Sequence, residues 1–219
     1  MADYTALQNK QNELIRKALD GSAFLAPITA DPITNLTGPD SMLVELPTDW
    51  DDLGWLSGDG MQYGRDVSTS DVTSFGSTTP TRSDTTADTT TVTVSAQETK
   101  LLTLELATGA DLRNLVPVAG GGVVIAKPTR PKARHYRYLG VAVDDSDDGE
   151  IYIARDLPRV KPTQYAEQSF GSGDDPVVWG VTLTAYKDSA LGYAERYHFG
   201  GPGWLALLDK MGFQAPAGP

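Results

Sequence analysis

The chain has 219 residues, no cysteine, 22 glycines, 14 prolines and a formal net charge of −11. That length fits one domain or one domain with extensions, and the missing cysteines remove disulfides, thiolate metal sites and cysteine nucleophiles together. No apolar run approaches the ~18 residues of a membrane span and the N-terminus is polar, so a soluble, intracellularly made protein with no membrane contact is expected.

In chain order, residues 5–20 read as a helix. Thr5 and Gln8 have capping-box spacing, Leu7, Leu14, Ile15, Ala18 and Leu19 form a stripe, and Gly21 offers a stop. Residues 22–40, rich in Pro, Thr and Asp, read as an extended arm. Strand signals then dominate. The segments 41–46, 60–68, 89–96, 134–143, 150–156 and 177–186 are rich in β-branched and aromatic residues, and several alternate with period two. "DDSDDG" reads as a hairpin turn between two of them. The Thr/Ser-rich span 68–91 holds few core side chains and reads as a long exposed excursion. Residues 98–108 carry both signals: Leu102, Leu104 and Leu106 alternate like a strand, while the composition and Gly109 favour a helix. Helix is the preferred reading. A short amphipathic helix closes the chain over 203–213, with Trp204, Leu207, Leu208 and Met211 on one face. The expected fold class is mainly β, with an N-terminal helix and arm over 1–40, a β domain over 41–200 and a C-terminal helix and tail over 201–219.

Charge is unevenly spread. Residues 1–112 hold seventeen acids and six bases, whereas 113–219 hold twelve of each. Between Lys17 and Arg65 there are eight acids and no base. An acidic surface is soluble, and it also repels a polyanion such as DNA. The opposite sign is concentrated in "KPTRPKARHYR", where Lys127, Arg130, Lys132, Arg134 and Arg137 occur without an acid. A nucleic-acid stripe is one reading; a positive patch that meets a negative patch on another copy is preferred.

Catalytic and metal chemistry find little support. A calcium loop from Asp49 would place Leu53 and Gly60 at ligand positions, and one from Asp144 would need Arg155 as its closing ligand. His135 and His198 lack a second ligand at helical or strand spacing. "VAGGGVV" lacks the lysine of a phosphate loop and reads as a turn. No enzyme activity and no cofactor are expected, and an assembly role becomes the leading class.

Within this frame the order "W-x-D-L-G-W-L-S-x-D-G" (Trp50 to Gly60), strand, Thr/Ser-rich excursion with Phe75, strand and "ETKLLTLELATG" resembles the major tail protein of long, non-contractile-tailed bacteriophages, particularly those of actinobacteria. "AEQSFGSGDDPVVWGVTLTAYKD" is similar to the closing hairpin of that family. The resemblance covers roughly residues 45–190. It implies an antiparallel β-sandwich or half-barrel flanked by one helix, with copies forming rings, six to a ring, that stack into a tube. It implies a virion location after synthesis in the host cytoplasm. Implied partners are the chain itself and the tape-measure, tail-terminator and tail-tip proteins, with DNA passing through the lumen unbound. The excursion would reach the next ring, so Ser68, Asp71, Phe75, Arg82 and Asp84 become candidate contacts, together with Lys127, Arg130, Lys132, Arg134 and Trp204. Glu45, Asp49, Asp51, Asp52 and Asp59 become candidates for the lumen wall. Two alternatives stay open: another virion β-protein, such as a head–tail joining or decoration subunit, and a β-sandwich glycan-binding or adhesion module using Trp50, Trp55 and Tyr63.

Overall fold

The computed structural model describes residues 3–130, 134–173 and 176–214. Its strands are β1 (Asp20–Pro27), β2 (Asp51–Asp52), β3 (Leu56–Val72), β4 (Arg82–Ala96), β5 (Tyr136–Ser146), β6 (Gly149–Tyr165), β7 (Trp179–Ala185) and β8 (Arg196–Gly200). Two helices join them, α1 (Leu101–Thr108) and α2 (Pro202–Met211). All strand pairings are antiparallel, and the sheet runs β2-β1-β5-β6-β7-β4-β3. The long β6 pairs with β5 along one edge. Its other edge takes β8 at 152–156 and then β7 at 160–165.

The central strands bury both faces. On one face, Leu25 of β1, Tyr138 of β5, Leu157 of β6, Leu183 of β7 and Val92 of β4 make a single core, with Leu106 of α1 packed into it. The sheet curls there until its far strand meets its near ones. A Cβ on Gly140 of β5 would fall 2.6 Å from the Met61 sulfur of β3 and collide with the Tyr63 hydroxyl. A residue without a side chain is what lets β3 lie across β5. The Tyr63 and Tyr138 hydroxyls meet at 3.1 Å in the same place. This is the half-barrel with one flanking helix that the resemblance implied.

On the other face, Leu139 and Val141 of β5 and Tyr152 and Ala154 of β6 are covered by the irregular segment 28–50, through Ala30, Ile33, Leu36 and Trp50. Trp50 donates its indole N–H to the Asp31 carbonyl at 3.1 Å. Arg137, buried on β5, donates to the carbonyls of Ala30 (2.7 Å) and Pro158 (3.1 Å). A buried guanidinium with satisfied donors staples the cover to the sheet.

Several local expectations are corrected. The helix over 5–20 is instead two short 3-10 turns, Tyr4–Leu7 and Asn12–Leu14, and Thr5 donates to Asp3 rather than closing a capping box. Leu7, Ile15 and Leu19 stay exposed, and a helix this short does not hold without burying its apolar face. Strand β1 lies inside the span read as an arm; Gly21, Ser22 and Pro27 disguised a strand that pairs with β5 over eight residues. The strand at 41–46 reduces to a bridge between Thr37 and Leu43. β2 and β8 were not among the expected strands. β3 to β7 form on the expected segments, with β3 and β4 running on into the 68–91 excursion and β6 on to Tyr165, and the helix at 98–108 and the 146–149 turn form where they were expected.

Candidate assembly surfaces

The Thr/Ser-rich excursion is an ordered arm rather than a loop. β3 and β4 stay paired out to Val72 and Arg82, and a turn spans 73–81. From Arg65 and Asp88 outward both faces of this hairpin are exposed, a length of roughly 25 Å at ~3.3 Å per residue. Arg65 grips Asp88 across the strands at 2.9 and 2.6 Å, and that hydrogen bonding holds the Asp88 carboxyl below its usual range. Farther out, Ser83 donates to Asp71 and Arg82 to Asp84 (2.6 Å), while Thr86 donates to the Ser68 carbonyl. Phe75 stands at the tip, fully exposed at 110 %. The five excursion candidates are therefore gathered on one projection. A two-stranded ribbon with no apolar face is at best marginally stable in water.

The basic cluster divides. Arg134 is an internal tie: its guanidinium reaches Glu105 of α1 at 2.6 Å and Asp111 at 2.5 Å, and Arg137 is the buried staple already described. Lys127 and Arg130 are exposed, and among the described residues neither makes an ion pair. Lys132 lies outside the described residues. The segment that leads to them, 113–126, holds the turn expected at "VAGGGVV", but the exposure of its apolar side chains was missed in the sequence. Val116 is 81 % and Val124 71 % exposed, although the run is mostly apolar. It folds back at "AGG", where Gly120 and Gly121 take positive φ and the Val118 N–H donates to the Gly122 carbonyl at 2.8 Å. Valines in a glycine turn suggest core or a tight bend from sequence alone; only their exposure marks them as a surface.

The acids are exposed but dispersed. Glu45 and Asp49 lie on the covering segment, Asp51 and Asp52 form the edge strand β2, and Asp59 lies in β3. Asp52 has a local duty, accepting the Gly54 N–H at 2.9 Å in a turn where Gly54 has φ +83° and no room for a Cβ. Trp50 anchors this stretch, whereas the Trp55 side chain is 75 % exposed and only its backbone is tied, to Glu98 and Gln97.

Trp204 joins an aromatic row. Its ring stacks on Phe199 at 4.9 Å and meets Phe213 at 6.0 Å, and Phe199 stacks on Tyr197. The Arg155 guanidinium lies between Tyr197 and Tyr63, 4.7 and 4.2 Å from the ring centres. The row therefore connects the C-terminal helix to the core tyrosines, and cation–π contact supplies one of the links.

The histidines lie apart. His198 has Nε2 4.0 Å from the buried Asp156, which also takes Arg196 at 2.9 Å. His135 packs edge-on to Tyr186, and burial followed by Arg159 and Lys161 pushes its pKa down. Among the described residues no three His, Asp or Glu side chains converge as a metal site, and no helix is long and apolar enough to cross a membrane.

A family model described as phage tail tube protein matches residues 8–197. No curated protein matches the sequence. Among solved structures, one described as the tail of an empty GTA particle, refined with C6 symmetry, is similar at 12% identity and a TM-score of 0.33, over 69% of this chain and 96% of that one.

Proposed function

From the premise that the chain belongs to the phage tail tube protein family, we propose that it is the repeating subunit of a virion tail tube whose lumen conducts DNA during ejection. Rings of six copies stack into the tube, which belongs to a long non-contractile tail of a phage with an actinobacterial host. The tape-measure protein fills the lumen beforehand, and terminator and tip proteins close the two ends. The ring number, tail type and host rest on the ordered motifs from Trp50 to Gly109.

The observation that carries the reading is the β3–β4 arm. A hairpin exposed on both faces and tipped by a bare phenyl ring is an element that waits for another copy. Among the described residues the outer edge of the 17-residue β3 has no strand partner. Such an edge invites pairing with any chain, and a closed ring of identical copies satisfies it without open-ended aggregation. Contact between rings joins two different surfaces, so it propagates as a filament. A net charge of −11 keeps DNA from adhering to the conduit. Negative-stain electron microscopy of the purified protein tests this. Tubes or six-fold rings are expected, and a strict monomer at high concentration overturns it.

A further inference from the structure

We propose that the β3–β4 arm of one copy docks on the 113–130 segment of a second copy, an assignment that rests on the tube-subunit reading above. Charge is the first argument. Residues 65–88 carry Asp66, Asp71, Asp84 and Asp88 against Arg65 and Arg82, which pair with Asp88 and Asp84 and leave Asp66 and Asp71 as the arm acids without an ion-pair partner among the described residues, whereas 112–135 hold no acid. Lys127 and Arg130 are the exposed cations of that segment without an ion-pair partner among the described residues. Opposite potentials on two faces steer the encounter and fix its register.

Apolar surface is the second argument. Phe75 at the arm tip and Val116 and Val124 on the segment are among the most exposed hydrophobic side chains of the molecule. Monomeric proteins rarely leave such patches open. The segment is already folded by its glycine turn, so docking orders little new chain. The aromatic row competes less well, because its rings already stack on one another. No hydrogen bond or ion pair joins arm to segment within the chain among the described residues, and two distinct surfaces on identical copies make a heterologous contact that repeats from copy to copy.

Two charge-reversed variants test the pairing: Asp66→Lys with Asp71→Lys on the arm, and Lys127→Glu with Arg130→Glu on the segment. All four positions are exposed, so each variant should melt with the wild type. Alone, each should need roughly tenfold more protein to form tubes, equivalent to about 1.4 kcal/mol. Mixed one to one, they should recover wild-type assembly, because each arm then meets a segment of opposite sign. As a second measurement in this cysteine-free chain, Phe75→Cys combined with Val124→Cys should give a ladder of covalent oligomers under oxidation, and each single variant none beyond dimers. Undisturbed tubes in both charge variants, no recovery on mixing, or no ladder overturns the pairing while leaving the tube reading intact. Duplex DNA that binds the wild type and not the Lys127/Arg130 variant also overturns it, by making the segment a polyanion site. A wild type that forms no tubes removes the tube reading, and the pairing with it.

Discussion

Glu105 Oε1 on α1 lies 2.6 Å from Nη1 of Arg134 and also accepts the Tyr136 hydroxyl at 3.2 Å, while Oε2 accepts the Leu112 N–H at 3.2 Å. One buried carboxylate thus ties the flanking helix to β5 and to the start of the exposed segment. Removing one partner from a buried pair strands the other, at about 3–5 kcal/mol. Glu105→Ala should cost about 3 kcal/mol in urea denaturation. Arg134→Ala should cost a similar amount, since it leaves the buried Glu105 carboxylate without its cation, while the lost contact to the half-exposed Asp111 adds little. A loss below about 1 kcal/mol for Glu105→Ala would place it with surface pairs instead.

Three core tyrosines set an alkaline limit. Burial raises Tyr63 to about 12; burial and then the Glu105 charge raise Tyr136 to about 12; and burial raises Tyr138 well above its ordinary value. The neutral phenol is the favoured form inside, so the folded pKa exceeds the unfolded ~10. This contribution is complete below pH ~10. Above it the unfolded chain sheds three protons that the native chain keeps, and stability falls by about 4 kcal/mol per pH unit until the native phenols ionise. Phenolate absorbance and far-ultraviolet circular dichroism should therefore change together above pH ~10. Ionisation of these three at ordinary pH with the sheet intact would contradict the burial argument.

The sheet was legible where a strand is rich in β-branched and aromatic residues, as in β5 and β6, and obscure where it is not. β4 reads cleanly because Thr90, Val92 and Val94 are buried and alternate with less buried residues. β1 was missed because "DGSAFLAP" buries Ala23 and Leu25 on one face and Ala26 on the other, which leaves no period. The outer arm carries no apolar alternation, since neither face meets a core, so composition suggests a loop where there is a ladder. The basic cluster misled differently. Residue type cannot tell Arg134 and Arg137, whose partners lie at Glu105 and Ala30, from the solvent-facing Lys127 and Arg130. The N-terminal segment has the periodicity of a helix, but tertiary contacts give that stripe nothing to cover.

Gly140 is the position where curl depends on a missing side chain. An added methyl would crowd Met61, Tyr63 and Tyr138 at once in a fully formed core. Overpacking of this kind costs about 1–3 kcal/mol, and the Tyr63–Tyr138 contact between β3 and β5 should loosen with it. Gly58 on β3 has open space around its Cβ direction and no positive φ, so Gly58→Ala should change stability by less than about 0.5 kcal/mol. Thermal melts of the two variants measure the difference. Equal melting temperatures would show that β3 can shift freely across β5.

Hydrogen exchange should separate the arm from the body. In the monomer, amides of 66–72 and 82–88 sit in a ladder exposed on both faces, with the opening free energy of a frayed hairpin. Amides of β5 and β6, buried on both faces, should exchange only with global unfolding. In tubes the arm amides should become protected by at least ~100-fold if docking contributes about 3 kcal/mol. Arm amides that exchange equally fast in monomer and tube would mean that the arm is no part of the assembly.

The acid bias makes a prediction about transport. Glu45, Asp49, Asp51 and Asp59 are exposed, and Asp52 is left out because it closes the Gly54 turn. Replacing these four by Lys changes each copy by eight charges and should leave the fold intact. If these four acids line the lumen, a wall that repelled phosphates would then attract them, and every cation offered to DNA releases counterions and adds to its affinity. Phages assembled with the substituted subunit should form normal tails and eject DNA more slowly, with the delay shrinking as salt rises because screening weakens the contacts. Time-resolved ejection at two ionic strengths measures this. Unchanged kinetics at low salt, in particles with intact tails, would remove these four acids from the lumen wall.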